Sequence, residues 1–126
     1  MNIQRTGMIL NTENYQQCVD FYHQLFDLEI LYQKSSGDFK LTCFNFGGAY
    51  LMVETGGIAS TVEKAMHENP TKLRFNVADI NVALEKVRSI GIDAEIENYD
   101  WGDVINIVDP DGNRIGIRDE ESFIES

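Results

Sequence analysis

The order strand, helix, strand, strand, strand is written twice in this chain, and that repeat limits its fold more than any other feature. Gly7 to Thr12 alternates, with Met8 and Leu10 on one face and Gly7, Ile9 and Asn11 on the other, as a half-buried strand does. Asn14 with Gln17 three residues on offers a capping box. Tyr15, Cys18, Val19, Tyr22, Leu25 and Phe26 then keep the spacing of an amphipathic helix over 15–26. Strands at 28–33, 39–46 and 49–55 follow, divided by turns at Ser35 to Asp38 and Gly47-Gly48. After a connector the series restarts. Lys72 to Val77 sets Leu73, Phe75 and Val77 against Lys72, Arg74 and Asn76. Asp79 caps a helix striped by Ile80, Ala83, Leu84, Val87 and Ile90 and ended by Gly91, and strands are expected at 92–98, 103–108 and 113–118. Sliding the chain by 65 residues lays Met8 on Leu73, Asn11 on Asn76, Asn14 on Asp79 and Leu25 on Ile90, so the apolar phase is kept throughout.

The fold class implied is α+β: two tandem βαβββ modules in a single domain spanning 1–126. Module one covers about 5–56, the connector 57–71 with a short helix expected near Thr61 to His67, and module two about 72–118. An acidic tail at 119–126 is expected to fray or to pack weakly through Phe123 and Ile124. Within the second module, Asp109-Pro110-Asp111-Gly112-Asn113 is a turn by its chemistry. Proline presets φ, glycine supplies a positive φ, and Asp and Asn side chains bond their own backbone.

Twenty-one acidic residues against ten basic give a net charge of −11, which argues against nucleic acid or an anionic membrane as partner, since both need a basic footprint. No apolar run reaches membrane-spanning length and the N-terminus lacks a signal-peptide core, so cytoplasm is the expected location. Cys18 and Cys43 lie far apart without CxxC spacing and read as two free thiols.

Three local features, Phe21-Tyr22 on the first helix, the Phe-x-Val-x-Asp run from Phe75 to Asp79, and the turn Asp109-Pro110-Asp111-Gly112-Asn113-Arg114-Ile115, join the repeat in one pattern. Over about residues 5 to 118 that pattern resembles the glyoxalase I, bleomycin-resistance and extradiol-dioxygenase superfamily, the vicinal oxygen chelate proteins. The resemblance implies cupped mixed sheets with helices on the outer face, a small-molecule ligand in the cup, a homodimer, and commonly a divalent metal held by four residues from the first and last strands of each module. Those places fall on Gly7, Glu54, Lys72 and Gly116. Only Glu54 is a donor of the usual kind, whereas a catalytic zinc site takes about three protein ligands. His23 in the first helix and His67 in the connector do not lie on an inward strand face. The metal site is therefore expected to be degenerate and no cofactor is expected, with a divalent metal left as an alternative.

Strand alternation puts Lys72, Arg74 and Asn76 on the inward face of one strand, with the Lys72 ammonium expected to take the cation's place beside the Glu54 carboxylate. Arg74 remains for an anionic ligand. Tyr50 is inward with Met52 and Glu54, Asn11 matches Asn76 in the repeat, and Trp101 with Tyr99 sits in the loop between two strands, placed for a rim contact. The function expected is binding of a small anionic or aromatic ligand through Lys72, Arg74, Asn76, Asn11, Tyr50 and Trp101. The alternatives are a metal-dependent lyase or dioxygenase, and a metal-free acid-base enzyme using Glu54.

Overall fold

The structure is a computed structural model describing all 126 residues, and the chain divides into two compact units, Met1–Thr61 and Val62–Ser126. In the first unit, β1 (Gly7–Thr12), α1 (Tyr15–Phe26), β2 (Ile30–Ser36), β3 (Phe39–Phe46) and β4 (Ala49–Thr55) build a four-stranded sheet in the order β1-β4-β3-β2. β1 runs parallel to β4 and the other pairs are antiparallel. α1 lies on one face of it. Cys18, Val19, Tyr22 and Leu25 of the helix and Thr42, Phe44, Leu51 and Val53 of the sheet are all buried, and the Tyr15 hydroxyl meets the Thr42 hydroxyl at 2.6 Å. Covering one face leaves Gly7, Ile9 and Asn11 of β1, paired with Tyr50, Met52 and Glu54 of β4, on the side without a helix.

The second unit repeats the arrangement: β5 (Leu73–Val77), α2 (Ile80–Ser89), β6 (Ile96–Tyr99), β7 (Gly102–Val108) and β8 (Arg114–Asp119), in the order β5-β8-β7-β6. Leu73, Ile105, Ile107, Ile115 and Ile117 make the buried face with Ile80 and Val87 of α2. Asp79 caps α2 by accepting from the Asn81 and Val82 N–H groups. Two sheets of the same strand order are what a duplicated βαβββ module requires, and the α+β class stands.

Several local expectations are corrected. Asn14 makes no side-chain cap bond to α1, so the capping box does not form. β2 starts at Ile30 and is shifted by a bulge between Ile30 and Tyr32, and β6 starts only at Ile96 because the chain before it stays tied to the end of α2. The Ile92 N–H reaches Val87 O, and Arg88 Nε donates to Ala94 O. The connector forms turns around Ala65 rather than a helix at 61–67. The acidic tail is ordered into α3 (Glu120–Ile124), because the Asp119 carboxylate accepts from Ser122 N–H and Oγ. The weak packing expected through Phe123 is present, its ring 5.4 Å from the Arg118 guanidinium, while Ile124 stays exposed. Both cysteines are free and buried. No helix is long and apolar enough to cross a membrane.

The β7–β8 turn is held from inside. Asp109 Oδ1 accepts from the Asp111 and Asn113 N–H groups at 2.9 Å each, and Oδ2 accepts from Asn113 Nδ2. Gly112 takes φ +86° and its N–H returns to Asp109 O.

Candidate functional site

The face of the second sheet away from α2 carries the unusual chemistry, with α3 at one end of it, where the Phe123 ring lies 5.4 Å from the Arg118 guanidinium. β8 reads Arg114-Ile115-Gly116-Ile117-Arg118, so burying its two isoleucines under α2 turns Arg114, Gly116 and Arg118 to the other side. Across the β5–β8 ladder Arg74 stands beside Gly116 and Asn76 beside Arg118, while β7 sets Asn106 beside Gly116. Lys72 precedes β5 in the same phase. Four of the chain's ten basic residues thus share one face of a protein with net charge −11.

Their partners are few. Arg74 makes no hydrogen bond or ion pair with protein; its guanidinium lies 5.6 Å from the Trp101 ring centroid. Arg118, 9% exposed, sits 4.9 Å from the same ring and donates through Nη2 to Trp101 O, yet its Nε is buried without a partner. Arg114 donates to Asn69 O and likewise leaves a buried Nε unsatisfied. Trp101 itself stacks on Tyr99 at 5.1 Å and both rings remain more than two-fifths exposed. Unit charges ~5 Å apart repel by ~1 kcal/mol in water and ~3 kcal/mol at the effective dielectric of a protein surface, so such a band favours any anion that settles on it.

Lys72 lies at one end of the band. Its Nζ donates to Asn106 Oδ1 at 2.7 Å, and Asn106 Nδ2 donates to Glu97 in a short contact. These groups, with Glu63 and Arg114, line an open cavity of about 250 Å³. Partial burial lowers the Lys72 pKa, the Arg74 and Arg114 charges lower it further, and Glu63 and Glu97 oppose the shift.

On the first sheet, Glu54 is half-buried and pairs in register with Asn11, whose amide donates to Thr55 O. Tyr50 is half-buried over Gly7, and a Cβ built on Gly7 would fall inside the Tyr50 ring. His23 is engaged through Nδ1 with Leu28 O, and His67 is exposed in the connector. In neither unit do three His, Cys, Asp or Glu side chains gather to hold a metal ion.

Residues 6–122 match the family described as a glyoxalase-like domain. The chain belongs to this glyoxalase-like family. No curated protein gave a significant match. Among solved structures, the trypanothione-dependent glyoxalase I of Leishmania major is similar, with TM-score 0.77 at 16% identity over 98% of this chain and 91% of that one. The fosfomycin resistance protein FosX of Listeria monocytogenes gives 0.76 at 14% identity over 97% and 98%. A glyoxylase/bleomycin resistance protein/dioxygenase domain from Frankia gives 0.71 at 12% over 94% and 97%. At these identities the likeness is one of fold.

The metal that the resemblance implies does not fit the residues that occupy its four places. Gly7 has no donor and lies under the Tyr50 ring. Gly116 has none either, and a Cβ there would meet Arg74 Nε at 2.9 Å and Lys72 Cε at 3.3 Å. Glu54 is one carboxylate, and a metal at Lys72 would have to replace its proton and then sit beside the guanidiniums of Arg74 and Arg114, which repel a cation. At Gly7 in the first unit the space is given to an aromatic ring, and at Gly116 in the second to cations.

Of the expected binding residues, Lys72, Arg74, Asn76 and Trp101 fall on the second unit's face away from α2, and Asn11, Tyr50 and Glu54 on the first unit's face away from α1. Asn76 donates to Glu120 of α3 and is partly committed there. Arg114, Arg118, Asn106 and Glu97 were not anticipated. The alternation Arg-Ile-Gly-Ile-Arg, centred on Gly116, held the signal for the two arginines; Asn106 and Glu97 become visible only through strand pairing.

Proposed function

We propose that this glyoxalase-like protein binds a small anionic or aromatic molecule on the faces of its sheets away from α1 and α2, with a degenerate metal site. The observation that carries this reading is the replacement of donors, by the Tyr50 ring at Gly7 in the first unit and by the Arg74 side chain at Gly116 in the second, where Arg114 and Arg118 each keep a buried Nε without a partner. Arg74, Arg118 and Lys72 supply charge-assisted hydrogen bonds to the oxyanion, and the Tyr99–Trp101 stack supplies a flat apolar rim. FosX of Listeria monocytogenes has been solved with Mn(II) and sulfate, so a chain of this fold can hold a metal and an anion together. What differs here is the donor set. We place the protein in the cytoplasm as a homodimer.

Metal analysis of the purified protein with a thermal-shift screen of divalent ions tests the reading. The expected result is less than stoichiometric metal and no stabilisation by zinc, nickel, iron or manganese; stoichiometric metal overturns it. Simple carboxylates should raise the unfolding temperature, and Arg74→Met should weaken them about tenfold or more, the loss of a charge-assisted hydrogen bond.

A further inference from the structure

We propose that Lys72 is a nucleophilic amine that captures the carbonyl carbon of a 2-oxo acid as an imine, with Arg114 holding the acid's carboxylate. The inference rests on the small-anion reading above and adds a covalent step to it. The cavity of about 250 Å³ brings together what the step needs: an amine, a guanidinium with an unsatisfied Nε, and two carboxylates, Glu63 and Glu97, on the same lining. Asn106 fixes the amine, accepting from Nζ at 2.7 Å while its own amide is held by Glu97. Partial burial, and after it the guanidiniums of Arg74 and Arg114, disfavour the ammonium form and leave more of the nitrogen with a free lone pair, a known way to activate a lysine. No carboxylate forms an ion pair with Lys72, and the nearby acids act on it only at longer range.

The reaction balances without an oxidant or reductant. The Nζ lone pair adds to the carbonyl carbon, and the carbonyl oxygen takes up a proton while the nitrogen loses one, giving a carbinolamine. Its hydroxyl then leaves as water while the nitrogen loses its remaining proton and forms C=N. Glu63 and Glu97 are placed to carry these protons between nitrogen and oxygen. One imine and one water form from one amine and one carbonyl. Arg114 gives the carboxylate a two-point grip that a ketone or aldehyde lacking a carboxylate cannot use.

The test is trapping of the full-length protein with pyruvate and cyanoborohydride, read by intact mass and peptide mapping, with propanal as the uncharged carbonyl. Pyruvate should label Lys72 about tenfold or more faster than Lys34, Lys40, Lys64 and Lys86, as expected for an activated amine. The rate at Lys72 should rise at lower pH than at those four. Arg114→Met should remove the preference for pyruvate over propanal at Lys72, while propanal labelling, slowed only by the loss of one neighbouring positive charge, stays above that of the other lysines and shows that the variant is folded. Labelling of Lys72 no faster than the other lysines, or equal preference for pyruvate in Arg114→Met, overturns the proposal. If Lys72 is not labelled but pyruvate and acetate still raise the unfolding temperature, only the covalent step fails. If they do not, the anion reading fails with it.

Discussion

Asp109 is 3% exposed and its carboxylate accepts three hydrogen bonds, from the Asp111 and Asn113 backbone and the Asn113 amide. Asn113 Oδ1 in turn accepts from Lys64 Nζ and Asn69 Nδ2, and Lys64 N–H donates to Gly112 O, so the turn is where the connector is tied to the second sheet. Removing the carboxylate strands buried donors rather than exchanging them for water. Asp109→Ala is therefore expected to cost about 2–4 kcal/mol, measured by urea unfolding, since each buried donor left without a partner costs about 1–3 kcal/mol. Asp109 also shows what was legible at this scale. Asp-Pro-Asp-Gly-Asn announces a turn from proline, glycine and Asx chemistry alone, but the burial of three of its polar side chains depends on the connector folding over them.

At the scale of one element, β8 decides the chemistry of the second sheet. Its isoleucines must face α2, so Arg114 and Arg118 cannot. Gly116 lies between them with ordinary backbone dihedrals, and the atoms nearest a side chain there belong to the flexible Arg74 and Lys72. Gly116→Glu is thus tolerated sterically and places a carboxylate among four cations. It should raise stability by ~1 kcal/mol, the upper range for a partly exposed ion pair, while abolishing carboxylate-induced thermal shifts. A variant that is destabilised, or that keeps its carboxylate response, would contradict the assignment of this face. α3 is a second case at this scale: from its sequence the tail is expected to fray or to pack weakly through Phe123 and Ile124, and it forms a short helix capped by Asp119 with Phe123 against Arg118.

For the whole molecule, charge sets the response to pH. The net charge of −11 falls to zero near pH 4.4, where self-repulsion vanishes and light scattering should show the lowest solubility. Asp119 titrates lower still. Hydrogen bonds from the Ser122 side chain, the Ser122 backbone and the Asp103 backbone hold its pKa at about 2. Because the folded value lies below the unfolded one, this carboxylate's contribution is complete above the ordinary aspartate pKa of ~4 and is lost as pH falls toward 2. Asp119→Asn should lower the unfolding temperature at neutral pH, and the difference from the unmutated protein should shrink between pH 4 and 2. A difference that stays constant across that window would contradict the assignment.

Periodicity by itself determined the doubled βαβββ order, the two faces of β1 and β5, both long helices and the turn after Asp109, because each is a local consequence of side-chain spacing and turn chemistry. It also determined that Gly7 and Gly116 bring no donors. The neighbours of those glycines were settled only by the tertiary structure. That Tyr50 covers Gly7, that Arg74 crosses Gly116, and that Lys72, Asn106 and Glu97 form one chain of hydrogen bonds all depend on strand register. Register joins residues that are 34 and 42 positions apart in sequence, and no local pattern carries that distance.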